Sequence, residues 1–308
     1  MTDLINTDML DLEAADAAQL VLLNHNHYRF YLCGAGGNGS YLAPELVRYV
    51  KVLREMGCRA SVVFIDPDTV EHKNTYRQNF CPAEVGQPKA VALATRLGFA
   101  WGMEIPAIVE KFSPDMVSHD AECINILIGC VDNAEGRASI HQALSRRYYW
   151  SNDQAPTVWH LDCANGFRCG TVRIGAVADA EMLKDAFPAA TICHALPAPA
   201  LVEPELLVHR TEEPEKKDLS CAELLFSGEQ SMTINKNVAS IAADYLYQLT
   251  ISKELNRFAT FVDLATGVMN SEYITPTRIA GVINRPVDFV LAAEPEELQG
   301  ELQVERAA

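Results

Sequence analysis

The sequence predicts an α/β fold: a mostly parallel, Rossmann-like sheet with helices on both faces and a C-terminal α+β extension. Three observations carry this. Short apolar runs alternate with stretches of helical periodicity as far as residue 176. The first of these runs feeds straight into a glycine cluster that opens a helix. Beyond residue 178 the alternation gives way to a proline-rich stretch, then to one strongly apolar helix and two strand-like runs.

Taken in order, residues 1–27 are acidic and read as a leading helix or tail, docked by Leu10, Leu12, Ala15, Leu20 and Leu23. Residues 28–33 form an apolar strand, followed by Gly34, Gly36, Gly37 and Gly39. Residues 40–56 carry Leu42, Leu46, Val47, Val50 and Leu53 at helical spacing, and Gly57 stops the helix. Pro44, which has no N–H, fits only near the start of that helix. Residues 60–65 are a second strand, ending in Asp66. The polar stretch 66–87 leads to a helix over 89–98. Strands follow at 105–109 and 123–129, a helix at 134–148, and strands at 157–163 and 170–176. Residues 178–220 hold prolines at 188, 197, 199, 204 and 214 and a polar run over 210–218, which predicts a surface connection rather than core. Residues 231–249 read as a helix, and 258–264 and 271–274 as closing strands. The predicted organisation is therefore a leading segment (1–27), a nucleotide-binding unit (28–177), a crossover connection (178–220), a part completing the same domain (221–293) and a frayed acidic tail (294–308).

Composition narrows the function classes. The chain has 308 residues, long enough for a substantial core. It carries 25 basic against 41 acidic residues, a net charge of −16, which repels phosphate backbones and argues against nucleic-acid binding as its main business. One nucleotide in a focused pocket is still compatible with that charge. No run approaches 18 apolar residues, and no basic segment precedes an apolar one at the N-terminus. The expectation is a cytoplasmic protein without membrane contact. Nine cysteines lie at 33, 58, 81, 123, 130, 163, 169, 193 and 221 with no CxxC among them. They read as reduced thiols, and no structural zinc is expected.

The chemistry gathers at the ends of the predicted strands. Gly34-x-Gly36-x-x-Gly39 stands between a strand and a helix, where glycines let the backbone turn and approach phosphates at a helix N-terminus. By itself the motif says only "nucleotide", and a tight turn without ligand is its bland alternative. Asp66 is placed to accept hydrogen bonds from ribose hydroxyls, or else to serve as a turn aspartate. Asp68, Asn74, Arg77, Gln78 and Lys89 follow within one segment that hydride transfer does not need. Arg77 and Lys89 are cations suited to a triphosphate. Asp132 and Asn133, with Arg137 after them, follow the fourth strand. A carboxylate there can hold Mg²⁺ bridging phosphate oxygens, or cap a helix.

Gly34–Gly39, Asp66-x-Asp68, Asn74-x-x-Arg77-Gln78, Lys89 and Asp132-Asn133 with Arg137 together resemble the ThiF/MoeB superfamily over about residues 28–176. The resemblance implies ATP and Mg²⁺ binding and adenylation of the C-terminal carboxylate of a ubiquitin-like protein. It implies that Asp66 holds the ribose, that Asn74, Arg77 and Lys89 contact phosphates, and that Asp132 binds Mg²⁺. Gly34, Gly36, Gly37, Gly39, Asp68, Gln78 and Asn133 complete the nucleotide-contacting set. Leu196-Pro197, residues 218–223, Gln230 and Ile234-Asn235 are similar to ThiF-family proteins of the PRTRC system and related bacterial ubiquitin-like operons, over about residues 160–275. Relatives commonly form homodimers, and a conjugating-enzyme-like acceptor is an implied partner. Two departures stand out. The chain lacks the paired CxxC of many relatives. It also lacks their N-terminal arginine: the acidic leading segment holds none, and the first arginine, Arg29, opens the first strand.

A thioester step would need an exposed thiolate on a segment above the nucleotide. Cys221, after the polar run and at the start of a possible short helix, is the first choice for nucleophile. Cys193, beside His194, is the second, and no cysteine at all is the third reading. Cys33, Cys58, Cys123 and Cys130 read as packing. Rival functions are an NAD(P)-dependent oxidoreductase using the same glycines, a ThiF-like scaffold without turnover, and a tRNA-modifying dehydratase, which the acidic charge disfavours.

Overall fold

A computed structural model describes residues 12–22, 26–118, 120, 122–145, 155–208 and 233–292. The strands are β1 (Gln19–Leu20), β2 (His27–Cys33), β3 (Arg59–Ile65), β4 (Ala107–Ile108), β5 (Ile124–Gly129), β6 (Val158–Asn165), β7 (Cys169–Gly175), β8 (Ile192–Cys193), β9 (Arg257–Asp263) and β10 (Val268–Tyr273). The helices are α1 (Gly37–Glu55), α2 (Asn74–Arg77), α3 (Lys89–Trp101), α4 (Ala134–Leu144), α5 (Pro199–Val202), α6 (Ile234–Tyr247), α7 (Pro276–Val282) and α8 (Val287–Val290).

An eight-stranded sheet runs in the order β10-β9-β7-β6-β5-β2-β3-β4. From β4 to β6 every pairing is parallel, and from β6 to β10 every pairing is antiparallel. The mostly parallel sheet predicted from the alternation is present, and β7, β9 and β10 extend it. The parallel strands are apolar on both faces, because both are covered. Phe30, Leu32, Phe64, Ile126, Ile128, Trp159 and Leu161 meet the apolar stripes of α1, α3 and α6. Tyr31, Cys33, Ile65, Leu127 and Val158 meet Ile140, Ala143 and Leu144 of α4 on the other face. The strand order reverses between β2 and β5. Their C-terminal ends therefore splay into the crevice where open α/β sheets bind ligands.

Several elements differ from their sequence reading. The helix after the glycines starts at Gly37, so Pro44 lies two turns inside it. Ser40 consequently has no N–H four residues on to receive. Asn79 supplies the missing donor: its Nδ2 reaches the Ser40 carbonyl at 3.1 Å, and its own N–H donates to Ser40 Oγ at 2.9 Å. Five fully buried side chains, Leu42, Leu46, Val47, Val50 and Leu53, contribute about 10 kcal/mol at ~2 kcal/mol each. That outweighs the ~3 kcal/mol an internal proline costs.

The strand expected at 105–109 shrinks to Ala107–Ile108 at the sheet edge, where Pro106 can accept from Phe64 N–H but has no N–H to give. Residues 12–22 are a 3₁₀ turn and an extended segment, with Ala18 and Leu20 buried, rather than a helix. The surface reading of 178–220 fails over its first part. Leu183, Phe187, Cys193, Leu196 and Ala198 are fully buried, and β8 pairs with β1. Much of the chain between these prolines is exposed, but single apolar residues among them reach the core. Residues 209–232, which include Cys221, Gln230, Pro214 and the polar run, lie outside the described residues, as do 1–11 and the tail from 293. No described helix is long and apolar enough to cross a membrane.

Candidate nucleotide site

The crevice is built from backbone first. Gly34 follows β2 with φ +95°, a left-handed conformation suited to glycine. A Cβ there would stand 2.6 Å from the Cys130 carbonyl oxygen, which closes the end of β5. Gly39 faces inward too: a Cβ on it would strike the Gly34 carbonyl. Gly36 is different, for a Cβ there would meet nothing closer than Gln78 Nε2 at 3.8 Å. Gly34 thus lets the loop fold on the end of β5, Gly39 lets the start of α1 close on Gly34, and Gly36 keeps the outer rim open.

Gly36 is the N-cap of α1, and no side chain caps that end. The first-turn N–H groups and the positive end of a 19-residue helix therefore meet at the crevice, an arrangement that favours an anion. Asp66 stands behind them at the end of β3. Its Oδ2 accepts from Ala35 N–H at 2.6 Å and its Oδ1 from Asp68 N–H at 2.8 Å. It is 5% exposed. Burial pushes its carboxyl up, against the opposing pull of Lys89 and of the two N–H donors. The carboxylate thus ties the loop after β2 to the turn after β3, the role of a turn aspartate.

Lys89 opens α3, and its Nζ pairs with Asp68 Oδ2 at 2.9 Å while its side chain is mostly buried. Asn74 is buried and accepts from Glu71 N–H at 2.8 Å, closing the turn that starts α2. Gln78 is buried beside Gly36. The main chain at Arg77 is held by Asn235 of α6, whose Nδ2 donates to the Arg77 carbonyl at 3.1 Å. The structure thus brings Gly34–Gly39, Asp66, Asp68, Asn74, Gln78, Lys89 and the main chain of Arg77 to one side of the crevice.

Asp132 and Asn133 lie across from them, just past Cys130. Asn133 is the N-cap of α4 and accepts from Gly136 N–H at 2.8 Å. Its Nδ2 donates to Asp132 Oδ1 at 3.2 Å. That leaves Asp132 an exposed carboxylate at the C-terminal edge of the sheet. Among the described residues no three His, Cys, Asp or Glu side chains gather as a metal cage. A single carboxylate suits Mg²⁺, which keeps waters and takes phosphate oxygens as its other ligands.

Arg137, one turn into α4, donates from Nε to Asp162 Oδ1 at 3.1 Å. Asp162 lies on β6 beside Gly129 and is fully buried, and its Oδ2 has no hydrogen-bond partner. Burial raises its carboxyl pKa against the pull of Arg137 and Arg173. His160, on the same face of β6, is buried with neither ring nitrogen bonded, and burial with His141 and Arg137 nearby lowers it to about 3. Sequence reasoning missed Asp162, and it singled out Asn235 only within a family resemblance, with no place in the site. The signal for Asp162 was an acid within the apolar run Val158-Trp159-His160-Leu161-Asp162; nothing local pointed Asn235 at Arg77.

The thiols are sorted by burial. Cys193, the second-choice nucleophile, is fully buried, its Sγ sits 3.2 Å from the Ala195 carbonyl, and burial pushes it up to about 12. That corrects its reading as a reactive thiol. His194 points elsewhere, with Nδ1 3.0 Å from the Val21 carbonyl. Cys221 lies outside the described residues. Arg29 is held in β2 by Ser61, Nε to Oγ 3.3 Å.

Residues 11–277 match the model of the ThiF family. No protein of curated function matches the chain. Among solved structures it is similar in fold to selenomethionine PaaA, with a TM-score of 0.50, 18% identity, and coverage of 81% of this chain and 65% of that one. It is also similar to Escherichia coli MccB with AMPCPP and selenomethionine MccA (TM-score 0.49, 13% identity, 86% and 66% covered), and to MccB with ATP (0.48, 12%, 86% and 66%). The chain spans just under two thirds of the length of these structures.

Proposed function

We propose, on the premise that the chain belongs to the ThiF family, that it binds ATP in the crevice and adenylates the C-terminal carboxylate of a ubiquitin-like protein. The observation that supports this best is the uncapped N-terminus of α1 at the strand-order reversal, with Asp66 behind it and Asp132 across from it. In this reading Asp66 holds the ribose, and the first-turn N–H groups of α1 hold phosphate. Asn74, Arg77, Gln78 and Lys89 surround the phosphates. A carboxylate oxygen of the partner's tail forms a bond to the α-phosphorus. The bond from that phosphorus to the bridging oxygen breaks, and its electron pair leaves with pyrophosphate. Arg77 and Lys89 offset the charge that builds on the leaving group, and positioning supplies much of the rest. Mg²⁺, held by Asp132 and phosphate oxygens, would share that neutralisation.

The acyl-adenylate is then open to thiolate attack, with AMP leaving and a thioester forming. Cys221 is the residue we assign to that step. We also assign residues 221–293 to the same domain as 28–177, a reading supported by the reach of Asn235 from α6 to Arg77. Homodimer formation and a downstream acceptor belong to the same proposal.

The test is ATP–pyrophosphate exchange with Mg²⁺ and the ubiquitin-like protein encoded nearest to this chain. Exchange that needs the partner's intact C-terminus, and that is lost in Asp132→Ala, is the expected result. Full exchange in Asp132→Ala removes the metal role. ATP binding without exchange favours the scaffold reading, for which the engagement of Arg29 on β2 with Ser61 on β3 is the supporting observation.

A further inference from the structure

Asn235 stands in the first turn of α6 and is fully buried. Its amide does two things at once. Nδ2 donates to the carbonyl of Arg77, 158 residues away, at 3.1 Å. The face of the amide lies flat on Gly37, the first residue of α1: a Cβ on Gly37 would stand 2.8 Å from Oδ1 and 3.0 Å from both Cγ and Nδ2. The glycine at 37 is thus needed for the space this amide fills, whereas Gly36 next to it faces outward.

The Arg77 carbonyl is at the C-terminal end of α2, a helix of four residues. Such a carbonyl has no acceptor role within its own helix, and a helix this short has little stability of its own. Its geometry must be imposed from outside. Asn74 holds its start through Glu71 N–H, and Asn79 ties the chain beyond it to Ser40 of α1. Asn235 holds the point between them, where the Arg77 side chain departs. Asn235 Oδ1 has no hydrogen-bond partner although it is buried. A buried acceptor left unpaired is unfavourable for folding, so a stability role alone accounts poorly for an asparagine here.

We propose that Asn235 is a positioning residue for the nucleotide site: it sets the main chain at Arg77 against the first turn of α1, so that the arginine and the helix N-terminus address the same phosphates. This rests on the adenylation reading above for its function but not for its geometry. It assigns α6 a direct part in the nucleotide site.

Two measurements test it separately. The first is amide hydrogen exchange of the full chain, comparing Asn235→Ala with wild type. Exchange over residues 74–79 is expected to rise about tenfold, the loss of one buried hydrogen bond, with β2 and β5 unchanged. Unchanged protection over 74–79 overturns the proposal whatever the protein's activity. The second is a double-mutant cycle in ATP–pyrophosphate exchange. If Asn235 acts through Arg77, Asn235→Ala lowers kcat about tenfold in the wild-type background and has no further effect in Arg77→Ala. Equal effects in both backgrounds overturn it. A merely structural asparagine would give the same loss in both. If wild type shows no exchange, the adenylation reading fails. The cycle is then read in the Kd for ATP, with the same two outcomes.

The space-filling half has its own variant pair. Gly37→Ala alone is expected to weaken ATP binding, and Asn235→Ala added to it is expected to restore part of the loss by opening room for the new methyl. A double variant worse than both singles contradicts the packing of the amide on Gly37.

Discussion

Replacing Arg137 by methionine keeps the apolar stem and removes the guanidinium that faces Asp162. Asp162 is fully buried, its second oxygen is unpartnered, and its neighbour His160 stays neutral at ordinary pH. Removing one member of a buried ion pair typically costs about 3–5 kcal/mol. The structure supplies a ceiling on that cost, because the stranded carboxylate can take a proton. Starting from the unfolded value of 3.8, neutralisation at pH 7 costs about 4.4 kcal/mol, since each pH unit is about 1.4 kcal/mol. At pH 5 the same ceiling is only about 1.6 kcal/mol. Arg173, close enough to lower the Asp162 carboxyl, keeps the cost below the ceiling.

The sign follows from proton counting. With Arg137 gone, the folded-state pKa of Asp162 rises further above 3.8. The folded state then holds the proton that the unfolded state has released, so stability falls as pH rises through that window. Urea unfolding of wild type and Arg137→Met at pH 5 and pH 7 is the assay. A loss of about 2–4 kcal/mol at pH 7, shrinking to below about 1.6 kcal/mol at pH 5, is expected. Adding Asp162→Asn should return about 2 kcal/mol at pH 7, since removing both partners of a buried pair is often near neutral. A loss that is equal at both pH values, or under about 1 kcal/mol at pH 7, would refute the account of Asp162 as a buried charge held by Arg137.

Three more outcomes are expected. Gly39→Ala should destabilise by about 3 kcal/mol or more because its methyl strikes the Gly34 carbonyl, whereas Gly36→Ala should change thermal stability little; thermal melts of the two compare them. Asn79→Ala should cost about 1–3 kcal/mol by stripping the Ser40 carbonyl of its donor. Pro44→Ala in that background should recover much of it by restoring a backbone N–H, measured by urea unfolding. Brief iodoacetamide treatment of the folded protein at pH 8, read by mass spectrometry, should label exposed Cys81 and Cys169 and leave Cys193 unlabelled. Labelling of Cys193 at a comparable rate would contradict its burial.

Local sequence determined the strand–glycine–helix unit, the order of the parallel strands' chemistry and the placement of Asp66 and Asp132 at strand ends. These rest on periodicity and on residues a few positions apart, where chain geometry leaves few alternatives. The tertiary structure alone decided what each polar group meets. Asp162 finds Arg137 because β6 lies beside β5 under α4. Asn235 finds Arg77 because α6 returns to lie along α1. Pro44 sits inside a helix because Asn79, 35 positions on, makes good the lost donor. Leu183, Phe187, Cys193, Leu196 and Ala198 join the core in spite of the prolines around them, and β1 comes back to pair with β8 there. Periodicity states which face of an element is buried; it carries no record of which distant element covers that face. The partners of buried polar groups are fixed only when the layers close.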